Sequence, residues 1–233
     1  MTTASPPGTG VTSLVVAVDG PSGAGKSTVS RALASRLGLR YLDTGAMYRA
    51  MAWWMLEHGV DVHDSEAVTA NAGRSLIAAG TDPAAPTIDV DGIDVAGPIR
   101  TRAVSVAVSP VAAVPAVRAR LVAIQRKLIG TGGIVVEGRD IGTVVAPDAS
   151  VKVFLTAEQG ARARRRTGEL HDPAVTVAAT ESDLARRDAI DSSRAASPLI
   201  KAADAIEVDT TALTLNEVVE AILALVKERA GVG

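Results

Sequence analysis

Residues 20–27 read GPSGAGKS. Gly20, Gly23 and Gly25 let the backbone turn sharply and come close to a ligand, so that successive N–H groups converge on anionic oxygens. Lys26 adds a mobile cation for β- and γ-phosphates, and the Ser27 hydroxyl stands where a phosphate-bound Mg²⁺ would sit. The spacing GxxxxGK[ST] is short, and a glycine-rich turn that binds nothing could also produce it. The flanks argue against such a turn. Residues 14–18 (LVVAV) form a short apolar run rich in valine, as a buried strand requires, and Val29, Leu33 and Leu37 at i, i+4 and i+8 give the following run one apolar helical face. A helix that starts here points its positive end at the phosphates. Strand, loop and helix stand in the order a phosphate cradle needs.

The whole chain limits what such a cradle can serve. At 233 residues it fits one large domain with insertions. Its 24 basic and 26 acidic residues leave a net charge of −2, and 2 Trp, 2 Tyr and 1 Phe are too few for a nucleic-acid stacking platform. The absence of cysteine excludes disulfides, thiol nucleophiles and cysteine-ligated metal centres, and is compatible with a reducing cytoplasm. Residues 1–13 lack a basic n-region, and the apolar run after them is too short for a signal peptide or a membrane span, so they read as a flexible tail. The expectation is a cytoplasmic monomer with small-molecule substrates and neither nucleic acid nor membrane as partner.

Downstream, residues 39–42 suggest a second strand, followed by DTGAMYR with Met47, Met51 and Met55 on one helix face. This places Thr44 and Arg49 near a strand's carboxyl edge, where open α/β sheets bind ligands, although Thr44 as a helix cap and Arg49 as a surface charge explain the pattern equally well. Residues 58–112 look like an insertion. Val68, Ala72 and Leu76 suggest a helix, TIDVDGIDV reads as a hairpin about Asp91-Gly92, and His58 and His63 match no zinc spacing. After Pro115 the set Val117, Leu121, Ile124 and Leu128 marks an amphipathic helix. Residues 134–136, 151–155 and 205–208 read as further strands, and Glu137, Gly138, Arg139 and Asp140 emerge at the end of the first of these. Arg162, Arg164, Arg165 and Arg166 make a dense cationic stretch for which phosphate is the expected partner. Arg187, Asp191 and Arg194 share one helix face, which an ion-pair ladder explains as well as a site does. The chain closes with a helix over residues 214–226, opened by a Thr214/Glu217 capping box.

Four blocks, DGPSGAGKST from Asp19, LDTGAMYRA from Leu42, EGRDIGTVVAPDA from Glu137 and RRDAIDSSR from Arg186, together resemble the bacterial cytidylate kinases, a family of nucleoside monophosphate kinases. The resemblance implies an α/β fold of P-loop kinase type: a five-stranded parallel sheet flanked by helices within a single domain over residues 14–230. It also implies a monophosphate-binding insertion at 45–112 and a lid at 156–180. It further implies transfer from ATP with Mg²⁺ to CMP or dCMP. Gly20, Pro21, Ser22, Gly23, Ala24, Gly25, Lys26, Ser27 and Thr28 would bind ATP, with the Ser27 hydroxyl on the metal. Thr44, Arg49, Arg139 and Arg194 would surround the acceptor phosphate and sugar, Ser109, Arg118 and Asp140 would read cytosine, and Arg187 with Asp191 would hold the pentose hydroxyls. Lys26, Arg139, Arg162 and Arg166 would act on the transferring phosphoryl group. The rival readings are another P-loop kinase, acting on UMP, shikimate or dephospho-coenzyme A, and a GTPase switch, for which the NKxD stretch is missing.

Overall fold

The computed structural model describes residues 13–170 and 176–230; the rest of the expected tail, residues 1–12, and part of the expected lid, residues 171–175, lie outside the described residues. In chain order the elements are β1 (Val15–Asp19), α1 (Lys26–Leu37), β2 (Arg40–Asp43), α2 (Thr44–Glu57), α3 (Ser65–Asn71), β3 (Ile77–Ala79), β4 (Ile88–Val90), β5 (Ile93–Asp94), α4 (Arg102–Ala113), α5 (Pro115–Ile129), β6 (Ile134–Glu137), β7 (Val151–Thr156), α6 (Gln159–Leu170), α7 (Val177–Ser193), β8 (Ile206–Asp209) and α8 (Leu215–Ala230).

Five strands form a sheet in the order β2-β6-β1-β7-β8, every neighbouring pair parallel. Burial on both faces accounts for the apolar runs 15–18 of β1 and 134–136 of β6; in β7 the run is interrupted by Lys152, which is buried and pairs with Asp204 (2.8 Å). Successive residues of β1 serve opposite cores: Ala17 packs with α2, α4 and α5, while Val16 and Val18 pack with α1 and α8. In register, Asp43 lies beside Glu137 and Val18 beside Glu137 on its other side. The carboxyl ends of β2, β6 and β1 therefore open side by side, and the loops that leave them converge.

The segment between β2 and α5 carries the insertion, with its own antiparallel sheet β3-β4-β5. The hairpin turns at Asp91 (φ 53°) and Gly92 (φ 81°), the two positive dihedrals that a type I′ turn demands. The expected helix through Leu76 stops at Asn71 instead. Leu76 is 69 % exposed, and its backbone bonds to Asp91 at the hairpin (Asp91 N–H to Leu76 O, 2.8 Å), so sheet pairing beyond Gly73 overrides the helical spacing. Trp54 is the buried member of the adjacent tryptophan pair and donates to Asp91 (3.0 Å), and the His58 ring stacks on it at 3.9 Å. Pro115 opens α5 at a position where its missing N–H costs nothing, and the chain bends by 95° between α4 and α5. The capping box of α8 is closed by Thr214 N–H to Glu217 (2.7 Å) and by Glu217 N–H back to Thr214 (3.3 Å). Among the described residues no single helix is long and apolar enough to cross a membrane.

Candidate active site

The loop after β1 wraps over the start of α1. Gly20 has φ +146°, and a Cβ there would lie 2.2 Å from the Leu155 carbonyl oxygen on β7, so close backbone packing permits only glycine. Gly25 occupies the left-handed N-cap of α1 (φ 86°), which frees the first N–H groups of the helix toward a cavity of about 660 Å³. Ser22, Gly23, Gly25, Lys26, Ser27 and Thr28 line that cavity. Gly20 backs the loop against β7, Pro21 accepts from Lys26 Nζ (2.7 Å), and Ala24 is buried in the core beneath.

Behind the loop lies a group of acids that pattern reading did not assign. Glu137, at the end of β6, is buried and accepts from the Tyr41 hydroxyl of β2. The Ser27 hydroxyl lies close enough to Glu137 and Tyr41 to favour the charged form of each. Burial and the neighbouring Asp43 carboxylate push Glu137 up to about 7, while burial and the Arg139 guanidinium pull Lys26 down to about 7. Asp43 caps α2 by accepting from Ala46 N–H (2.9 Å), and the Thr44 hydroxyl donates to the Glu137 carbonyl (2.7 Å). Asp19, buried at the end of β1, accepts from Ile141 and Gly142 N–H (both 2.8 Å) and so fixes the start of a π-helical turn at Ile141–Val145. Burial raises it to about 6.

At the far end of the cavity, Arg118 from the first turn of α5 is paired with Asp140, which follows β6; both side chains are 4 % exposed. Arg118 also donates to the Ala112 carbonyl (3.2 Å) and lies over the Tyr48 ring at 5.2 Å. Arg194 sits 4.0 Å from Asp140 and 3.6 Å from Asp191. Asp191 in turn accepts from Ser109 (3.3 Å) and from Arg139 Nε (3.2 Å). Buried donors within this group, Arg118 Nε, Arg187 Nε and Arg194 Nη2, have no hydrogen-bond partner among the described residues. Such atoms are costly in a closed core and appropriate where a polar ligand completes them.

The cations meet between the two ends. Arg49 donates to Ile99 O (3.2 Å) and Ser105 Oγ (3.0 Å), and its pKa is lowered by burial and by Arg187 and Arg166. Arg187 is lowered to about 10 by burial and by Arg139. Arg166 lines the cavity. This concentration of like charge is appropriate for a ligand carrying several phosphate groups.

A family model described as Cytidylate kinase matches residues 16–228. The chain is 59 % identical over 218 residues to a cytidylate kinase from Streptomyces coelicolor, covering 93 % of this chain and 94 % of that protein. It is 57 % identical over 221 residues to one from Streptomyces avermitilis, covering 94 % and 95 %. This chain belongs to the cytidylate kinase family. In fold it is similar to an uncharacterized protein from Eubacterium ventriosum, with a TM-score of 0.51 at 11 % identity, covering 93 % of this chain and 99 % of the other.

For a cytidylate kinase, the cavity gathers most of the residues picked out from the sequence: Ser22, Gly23, Gly25, Lys26, Ser27, Thr28, Thr44, Arg49, Ser109, Arg118, Arg139, Asp140, Arg166, Arg187, Asp191 and Arg194 line it, whereas Gly20, Pro21 and Ala24 shape the loop from behind. Arg162 does not line it. Its guanidinium bonds to Asp188 (2.5 Å) and to Ser22 O of the loop (3.0 Å). Arg165 donates to Thr210 (2.9 and 2.6 Å), and Arg164 is exposed. The residues missed from sequence are Asp19, Tyr41, Asp43, Tyr48 and Asp188. Asp19 and Tyr41 owe their partners to elements distant in the chain, whereas Asp43 had a local signal as the acid that caps α2 and Asp188 had one as the acid next to Arg187.

Proposed function

We propose that this chain transfers the γ-phosphoryl group of ATP to the 5′-phosphate of CMP and dCMP by in-line displacement. The observation that carries the reading is that one cavity joins a phosphate loop to a buried Arg118–Asp140 pair, with arginines in between. Phosphoryl transfer asks for little covalent chemistry. It asks that two polyanions be brought together, aligned and neutralised in a site from which water is excluded. Lys26 and the loop N–H groups hold the donor, Arg49 and Arg139 hold the acceptor phosphate, and Arg166 faces the group in flight. Asp191 and Arg187 suit the pentose hydroxyls. Asp140 accepts from the cytosine N4 amino group, and the spare Nε of Arg118 donates toward the ring.

The donor set beside the loop fits Mg²⁺. The Ser27 hydroxyl lines the cavity with the carboxylates of Glu137, which burial and then Asp43 raise, and of Asp43, and hard oxygens of this kind suit a divalent cation. Mg²⁺ bound with ATP would neutralise the β- and γ-phosphate oxygens. We further propose a single domain over residues 14–230, acting as a cytoplasmic monomer without nucleic-acid or membrane partners. The nearly balanced charge and the scarcity of aromatics support this. The acceptor-binding part is residues 45–112 and the lid residues 156–180.

The test is a coupled assay of ADP release with ATP and Mg²⁺ against CMP, dCMP, UMP, AMP, GMP and shikimate. Turnover with CMP and dCMP well above the others is expected. Preference for UMP or shikimate, or GTP hydrolysis without monophosphate phosphorylation, overturns the proposal.

A further inference from the structure

Arg162 and Asp188 lie outside the cavity yet touch the phosphate loop from below. Asp188, on α7, accepts from Ser22 N–H (3.3 Å) with one carboxylate oxygen and from Arg162 (2.5 Å) with the other. Arg162, on α6, closes the triangle by donating to Ser22 O (3.0 Å), and its Nε is held by Ala157 O (3.1 Å). The two side chains are 11 % and 19 % exposed, so water does little to screen the pair. Packing is equally close: a Cβ on Gly23 would lie 2.9 Å from the Arg162 carbonyl oxygen. One turn along α6, Arg165 binds Thr210, whose hydroxyl donates to Ala24 O of the same loop (3.3 Å). The start of α6 is thus fastened to the loop at two points, and its charge there is balanced.

We propose that Asp188 and Arg162 form a charge-neutral clasp that fixes the Ser22–Gly23 turn for ATP, and that Arg162 supports ATP binding through this clasp and not through contact with phosphate. The proposal rests on the reading of the cavity as an ATP site. Asp188 acts electrostatically on both Lys26 and Arg187, so it lies within reach of the cations that would hold phosphate. Left unpaired, its carboxylate would repel ATP. Neutralised by Arg162, it orders the loop without that penalty. Both residues are therefore positioning residues, and they make an unusual demand on a double mutant: removing the second partner should repair part of the damage done by removing the first.

Titration calorimetry on the full chain, with Mg·ATP and with CMP separately, tests this. R162Q is expected to weaken ATP by about tenfold or more while leaving CMP within about twofold, because it exposes a carboxylate at the donor end alone. D188N/R162Q is expected to bind ATP at least about threefold more tightly than R162Q. D188N alone keeps an acceptor for Ser22 N–H and is expected to stay within about threefold of wild type, which gives a reading even where R162Q is unstable. If the double variant binds ATP no better than R162Q, Arg162 contacts phosphate directly and the clasp is wrong. If ATP affinity is unchanged in R162Q, or CMP weakens in step with ATP, the proposal also falls. A wild type that binds ATP but phosphorylates no cytidylate would defeat the activity reading and leave the clasp to be judged on these affinities.

Discussion

Replacing Asp140 by Asn removes one charge from the acceptor end with almost no change of shape. In the wild type the Asp140 carboxylate is paired with Arg118 and lies 4.0 Å from Arg194, and all three side chains are only 4 % exposed. Asn keeps a neutral acceptor for Arg118, so the loss is the difference between a charge-assisted and a neutral hydrogen bond, about 1–2 kcal/mol. That is less than the roughly 3–5 kcal/mol that follows outright loss of a buried ion's partner. In a chain of this length it lowers Tm by roughly 2–8 °C. The effect on the reaction is separate. Cytosine presents an N4 donor beside an N3 acceptor, and uracil presents the reverse, so a carboxylate suits the first base and repels the second. Each group facing a like partner costs about 1–3 kcal/mol, roughly tenfold or more in discrimination. An Asn amide can rotate to donate to uracil O4. D140N should therefore lose CMP efficiency and narrow the CMP to UMP ratio by about tenfold, with KM for ATP within about twofold of wild type. The assay is kcat/KM for both acceptors in both proteins, at a temperature well below the mutant's Tm. Parallel loss for CMP and UMP would show that Asp140 only orders Arg118 and does not read the base.

Lys26→Ala should leave Tm close to wild type while lowering kcat by about 10²–10³, because it removes a cation from the developing charge; unaltered turnover with ATP and CMP would refute this. Asp19 has a pKa raised to about 6 from 3.8, so the folded chain holds its proton more tightly than the unfolded chain does. Its contribution to stability is therefore greatest below pH 4 and is lost as pH rises to 6. The stability of wild type relative to D19N should fall by up to about 3 kcal/mol over that interval and stay level above it, as read from urea unfolding at fixed pH values; a flat difference would show that Asp19 is not shifted.

Local signals carried most of the architecture. The apolar run before the loop, the i, i+4, i+8 face of α1 and the Asp91-Gly92 hairpin each depend on neighbours in sequence, and each appears in place. Leu76 shows the limit of periodicity, because its helical spacing yields to pairing with a strand that follows it. The candidate site divides in the same way. Thr44, Arg139 and Asp140 follow directly from strands whose ends could be located, so their convergence could be inferred. Glu137 also stood at such an end, but nothing nearby in sequence indicates that Tyr41, 96 residues away, donates to it. Asp19 reads as the last residue of a strand until the π-helical turn supplies its two N–H partners. For Arg162, density of charge suggested phosphate, whereas direction is set by where α7 places Asp188.

The central position of β1 bears on how the chain is made. Its partners are β6, with Val15 beside Ile134, and β7, with Val16 beside Val151. The phosphate loop is moulded against Leu155 through Gly20. As the chain leaves the ribosome, the segment with the earliest and strongest local signal thus has no sheet to join until β6 at Ile134–Glu137 has been synthesised. At an elongation rate of about 5–20 residues per second that interval is on the order of 10 s, long compared with the helix and hairpin formation of its own neighbourhood. During it an apolar strand edge remains unpaired, and α1 can form only as an isolated 12-residue helix of marginal stability. The phosphate loop can take its final form only after Leu155 of β7 has emerged, so a segment made early waits for one made much later.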